Sequence, residues 1–198
     1  MAKRPRPLRD RIIDAALKLA KDSAWRSISL ADIAREARIS LADLQKNFAS
    51  KTTIVAAAMA RTNTTILSEV DPSSNTEPPG DRLLDAIMCR LDALQPHKQA
   101  ICSILRDMPS DPVGLLSLTP RYFDSMAWTL EAAGIGSAGL GGRLRVKGLG
   151  VIYLGALCVW ARDDTQDQAK TLSFVGRRLQ QAERLVKLIP DGDLFSRP

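Results

Sequence analysis

The chain has 198 residues, 45% of them hydrophobic, 25% charged and 5% aromatic, so it holds enough apolar material to bury a core and is not a disordered tail. Its longest uncharged apolar run, Gly148 to Ala161, is shorter than the roughly 18 residues of a membrane span, and no apolar stretch follows the opening Met-Ala-Lys-Arg-Pro-Arg-Pro, so neither insertion nor secretion is expected. The net charge of +6 is unevenly placed: residues 1–55 hold 12 Lys/Arg against 6 Asp/Glu, whereas residues 56–198 hold 16 of each. A basic head on a neutral body suits a partner made of phosphates, because Lys and Arg gain affinity by releasing condensed counterions. The competing readings of the charge are a solvated basic face and an anionic membrane surface.

Taken in chain order, every well-patterned segment has helical period and none alternates as a strand does, so the class is all-α. A first helix is predicted from about Leu8 to Asp22, with Ile12, Ile13, Ala16, Leu17 and Ala20 on one face and Pro7 at its start. The tetrapeptide Ser-Leu-Ala-Asp then occurs twice, at 29–32 and 40–43, eleven residues apart. Each copy reads as a capping box, the serine oxygen accepting from the third N–H on and the aspartate reaching back. Helices therefore start at Leu30 and Leu41 with a tight turn at Arg38-Ile39, which makes a helix-turn-helix. Ser50 caps a fourth helix, Lys51 to about Glu69, and residues 71–80 form a breaker cluster. Beyond it, helices are expected near 81–94, 97–107, 112–118, 120–133, 143–162 and 166–188, divided by prolines, by the 134–142 glycine run and by Asp163-Asp164.

In a DNA-binding helix-turn-helix the second helix enters the major groove with its N-terminal residues at the base edges. Those residues here are Ser40, Leu41, Ala42, Gln45 and Lys46, followed by Asn47. Gln pairs bidentately with adenine and Lys reaches guanine, whereas Asp43 is better spent on the cap. Lys51, in the first turn of the next helix, is a candidate phosphate contact, and the arm holding Lys3, Arg4 and Arg6 is either a groove-lying segment or a solubilising tail. Met126, Leu130, Tyr153, Leu157 and Trp160 are candidate lining for an apolar ligand, with ordinary helix packing as the alternative. Gly148, Gly150, Gly155 and Ala156 permit close helix approach. The apolar side of the last helix, including Leu172, Val175, Leu179, Leu185, Val186 and Ile189, suits a dimer core or contact with anionic lipid.

Three cysteines, Cys89, Cys102 and Cys158, stand at unrelated spacings in apolar stretches, which suits reduced thiols in a cytoplasmic protein. A single histidine, His97, without a ligand partner at metal spacing, and the lack of a nucleophile–base pair predict a non-enzyme with no metal and no cofactor. Gly134-Ile135-Gly136-Ser137-Ala138-Gly139 fits a dinucleotide fingerprint in letters alone, since no strand precedes it; it reads as a linker.

The segment Ile12 to Ile54 resembles the TetR family of bacterial regulators: Ile12-Ile13-Asp14-Ala15-Ala16, Ile28-Ser29-Leu30-Ala31-Asp32-Ile33-Ala34, Ile39-Ser40, Leu44 and Phe48-Ala49-Ser50-Lys51. It departs from the family at Arg38, where a turn glycine is usual, at Gln45, where a phosphate-contacting aromatic is usual, and at Asn47. Further on, Met126-Ala127-Trp128, Leu144-Arg145-Val146-Lys147-Gly148-Leu149, Val151-Ile152-Tyr153, Trp160-Ala161-Arg162-Asp163-Asp164 and Phe174-Val175-Gly176-Arg177-Arg178-Leu179 resemble the lipid-binding accessory protein family of coenzyme Q biosynthesis. The first resemblance implies a TetR-like fold, a DNA-binding head over 1–55, a ligand-binding and dimerisation domain over 56–198, and double-stranded DNA, a second copy and a small apolar ligand as partners. The second implies an isoprenoid or other lipid ligand in ubiquinone biosynthesis and a vestigial helix-turn-helix.

Overall fold

The computed structural model describes residues 6–69 and 77–187. Among them are nine α-helices and no strand: α1 (Leu8–Asp22), α2 (Leu30–Glu36), α3 (Leu41–Asn47), α4 (Lys51–Glu69), α5 (Pro79–Leu94), α6 (Lys98–Asp107), α7 (Pro112–Ala132), α8 (Gly139–Trp160) and α9 (Ala169–Lys187). Of the described residues, the first compact unit joins those up to Arg61 with Pro96–Thr119, and the second joins those between Thr62 and Gln95 with those from Pro120 on.

In the first unit the periodic face of α1 is buried as its spacing dictates: Ile12, Ile13, Ala16, Leu17 and Ala20 meet Ile33 and Ala34 of α2, Leu44 of α3, Phe48 and Ile54. The same cluster includes Ala100 and Ile104 of α6, nearly ninety residues away along the chain, and α6 packs along α1. Polar contacts fasten that helix to the α1–α2 connection. The Trp25 N–H donates to Ser103 Oγ at 3.1 Å, and the Arg26 N–H donates to Asp107 Oδ2 at 2.8 Å. This packing unit is therefore larger than the segment 1–55, because a three-helix head leaves part of α1 uncovered without α6.

In the second unit α8 lies along α9, and α5 packs against both. Two glycines of α8 set the approach. A Cβ on Gly155 would stand 2.8 Å from the Phe174 ring of α9, and one on Gly150 would stand 3.0 Å from Phe123 of α7. The loop between α8 and α9 turns on Asp163, whose carboxylate accepts from the N–H and hydroxyl of Thr171 at 2.8 and 2.7 Å and from Thr165 Oγ1 at 2.5 Å. Burial works to raise that carboxyl, but the hydrogen bonds from Thr165 and Thr171 outweigh it and hold it below the usual carboxylate range.

α8 begins at Gly139 and α5 at Pro79, so each takes up the end of a stretch expected to divide helices, and two further positions differ from expectation. Pro120 does not divide two helices; it lies inside the continuous α7. Proline removes one rung of the ladder, and the helix continues because Leu118 before it and Met126 and Leu130 beyond it are buried. Gly134 is no linker residue but the cap of α7: at φ +72° it lets its own N–H reach Glu131 O and the Ile135 N–H reach Leu130 O.

Candidate nucleic-acid interface

Both serine caps form, but only the first completes the capping box its spacing predicts. Ser29 Oγ accepts from the Asp32 N–H at 3.1 Å while Asp32 Oδ2 accepts from the Ser29 N–H at 3.0 Å, a complete capping box. At the second copy Ser40 Oγ accepts from the Asp43 N–H at 3.0 Å and donates to Asp43 Oδ2 at 2.7 Å. The serine hydrogen bonds lower both carboxyls from their ordinary value, so each cap carries a charge at neutral pH. Asp43 is thus turned onto the cap.

Between the caps the chain reverses through Arg38 at φ +54°. The Arg38 N–H reaches Arg35 O and the Ile39 N–H reaches Ala34 O, the pattern of a left-handed helix cap built on an arginine. Two arginines of α1 hold the motif from behind: Arg11 Nη2 donates to Ala37 O at 2.7 Å and Arg9 Nη1 donates to Asn47 O at 3.0 Å. Both carbonyls lie at helix C-termini, where a cation meets the negative end of the dipole. Arg9 also covers Phe48, its guanidinium carbon 4.4 Å from the ring centre.

With Leu44 and Phe48 buried, α3 turns Ser40, Leu41, Ala42, Gln45 and Lys46 outward, and Leu41 is 54% exposed. Lys46 Nζ stands 3.7 Å from Asp43 Oδ1, a loose surface contact. Asn47 belongs to the inner side: half-buried, its amide donates to Asp43 O at 2.8 Å. Lys51 is also engaged with its own chain. Its ammonium donates to Trp25 O and Ile28 O, both at 2.6 Å, and lies 4.6 Å from the Trp25 ring centre. Burial pushes its pKa down, and Asp107 and Asp111 work the other way. Arg6 pairs with Asp14 at 2.9 Å, and Asp14 also accepts from Arg61 at 2.7 Å. Lys3 and Arg4 lie outside the described residues.

Sequence reading missed the part played by Arg9 and Arg11. Their place on the polar face of α1 was visible, but helix C-termini waiting opposite them were not. It also undervalued Arg38, which is exposed beside the start of α3 and adds a cation to that face.

Met126, Leu130, Tyr153, Leu157 and Trp160 are all buried in the second unit, on α7 and α8. The Tyr153 ring centre lies 6.5 Å from that of Tyr122, and burial raises both phenols above their ordinary range. Trp160 Nε1 donates to Gln95 Oε1 at 2.9 Å. Val175 and Leu179 of α9 are buried inside the unit and so are presented neither to a lipid surface nor to a second copy, whereas Leu172 is exposed; the side chains of Leu185 and Val186, and Ile189, lie outside the described residues. Among the described residues no helix is long and apolar enough to cross a membrane.

A capped helix-turn-helix followed by further helices is the architecture that comparison with known proteins also finds. Residues 12–58 match the family of bacterial regulatory proteins, tetR family, and residues 146–186 match the COQ9 family. A TetR transcriptional regulator from Nitrosomonas europaea ATCC 19718 superposes with a TM-score of 0.73 at 26% identity, over 90% of this chain and 99% of that one. A TetR transcriptional regulator from Rhodococcus sp. RHA1 gives 0.67 at 17% identity, over 92% and 98% of the two chains. Salmonella enterica GusR gives 0.58 at 19%, over 94% and 98%. No curated protein matches the sequence. The chain carries the fold and the N-terminal domain of a TetR-family transcriptional regulator.

Proposed function

We propose that the protein is a homodimeric regulator that binds operator DNA through α3 and is controlled by an apolar or lipid-like ligand held in its second unit. The observation that carries this reading is the outward row Ser40, Leu41, Ala42, Gln45 and Lys46 on a capped helix whose other side is locked by Leu44 and Phe48. Gln45 pairs with an adenine edge, Lys46 reaches guanine, and Leu41 offers apolar contact to a thymine methyl. Arg38 and the Lys3-Arg4-Arg6 arm serve the phosphates. Asn47 and Lys51 act as positioning residues, since their polar groups are spent inside the head. The protein works in the cytoplasm, where its DNA is.

A second copy supplies the second head of a palindromic site. The surface that fits it is a stripe along α8, where Leu140, Leu144, Val151 and Leu154 are exposed at three, four and seven residue intervals, Leu140 at 86% and Val151 at 74%. Leu172 of α9 is exposed as well. A ligand acts by favouring the dimer whose heads are wrongly spaced, and it lowers DNA affinity by its differential affinity for the two states.

The match of residues 146–186 to COQ9 supports a second reading, a lipid-binding accessory protein of ubiquinone biosynthesis with a vestigial head. One experiment separates the two: selection of bound sequences from random duplex DNA at near-physiological salt, with lipids extracted from the same preparation identified by mass spectrometry. The regulator reading expects an enriched palindrome, and Gln45→Ala should relax one base pair of it by about 1–3 kcal/mol. No enrichment together with a co-purified isoprenoid would transfer the assignment to the accessory role.

A further inference from the structure

Arg90 of α5 is 2% exposed. It occupies a core position, for Leu83, Ala86, Ile87 and Leu91 of the same helix are buried with it at the spacing of an inward face. Three other helices bring their side chains to it, and all are neutral. Nη1 donates to Asn63 Oδ1 of α4 at 2.6 Å and Nη2 donates to Ser125 Oγ of α7 at 2.5 Å. Ser125 Oγ in turn donates to the same Asn63 oxygen at 2.6 Å, and the Tyr153 ring of α8 is centred 5.0 Å from the guanidinium carbon. Among the described residues no carboxylate pairs with Arg90, and its Nε is buried without an acceptor.

A guanidinium taken out of water loses hydration that the neutral partners Asn63, Ser125 and Tyr153 do not replace, since none of them carries a countercharge. A residue whose only task was to join helices would do so at less cost as an amide or an apolar side chain. Asn63 and Ser125 accept from two of its nitrogens and leave the Nε–H, itself buried, without an acceptor, so an anionic acceptor brought to that edge would gain charge-assisted hydrogen bonds.

We infer that Arg90 anchors the ligand of the second unit, and that the ligand is a monocarboxylic acid with an apolar tail. This rests on the reading of that unit as an apolar-ligand domain and names the chemistry the ligand carries. One carboxylate matches one guanidinium in charge, and the Nε edge presents the paired N–H groups that take a carboxylate bidentately. A phosphate monoester would bring nearly two charges to a single cation. The tail follows from the neighbours: Met126 adjoins Ser125, Leu130 is one turn further along α7, and Leu157 is one turn beyond Tyr153 on α8, all buried.

The test is calorimetric titration of the full chain, at pH 7, with octanoate, decanoate and dodecanoate, each against the alcohol of equal length. The acid of the best-fitting length should bind about tenfold or more tightly than its alcohol, the range of a hydrogen bond to a charged group. Arg90→Met should abolish that ratio while leaving alcohol affinity in place. Its ligand-free Tm should equal or exceed that of the wild type, whereas a purely structural arginine would lower it. Equal affinity for acid and alcohol in the wild type, or an acid preference that survives Arg90→Met, overturns the carboxylate assignment and leaves an apolar site standing. No binding of either series at any length removes the apolar-ligand reading along with it. If Arg90→Met does not fold, the wild-type ratio decides alone.

Discussion

Arg38 stands where the backbone takes a left-handed turn, and an L side chain there costs about 1–2 kcal/mol relative to glycine. Arg38→Gly should therefore raise stability by up to about 1 kcal/mol, the unfolded-state entropy of glycine offsetting part of the gain, as a shifted urea midpoint would record. The same change should weaken DNA binding at low salt, since it deletes an exposed cation beside α3. Lys51 carries the opposite lesson. Its ammonium closes two carbonyls of the α1–α2 connection, so Lys51→Met should cost about 1–3 kcal/mol of stability and leave the salt dependence of DNA affinity nearly unchanged. A flattened salt slope with an unaltered melting curve would return Lys51 to the phosphates. The sequence placed Lys51 at the start of α4, but its bonds to Trp25 O and Ile28 O, both at 2.6 Å, were not legible, because nothing in linear order brings those carbonyls to it.

At the scale of elements, caps and periodicity were readable because they act within a few residues. The Ser-Leu-Ala-Asp pairs fixed α2 and α3, and the apolar spacing of α1 named its buried face before any partner was known. What could not be read was the consequence of long-range packing: that Pro120 is carried inside α7, that α6 completes the head, and that an arginine sits on the inward face of α5. The start of α9 shows a cap reached from outside its own first turn, with Asp163 accepting from Thr171 across eight residues. Its carboxyl pKa is depressed in the folded chain, so its contribution is fully present above the unfolded value of about 3.9 and is lost as pH falls through the lower folded value. Asp163→Asn should destabilise by about 1–2 kcal/mol at pH 7, as loss of a cap does, and the penalty should shrink below pH 4. Thermal melts of both forms between pH 7 and pH 3 check this, and a penalty independent of pH would mean that shape rather than charge holds the turn.

At the scale of the whole molecule, the proposed homodimer rests on the exposed stripe of α8. Val151→Glu at the middle of the stripe should convert dimers to monomers in analytical ultracentrifugation, because a carboxylate buried against apolar partners loses hydration without gaining a counterion. Monomers should also lose cooperative binding to a two-half-site operator while keeping weak affinity for a single half-site. The union of α1 with α6 has a consequence for exchange of parts. A head that shares its core with Ala100 and Ile104 of a distant stretch is not a detachable cassette of the first 55 residues. Joining one such chain to another near residue 55 would pair one parent's Ile13 and Leu17 with the other's α6, so a swapped head should melt below either parent unless α6 travels with it.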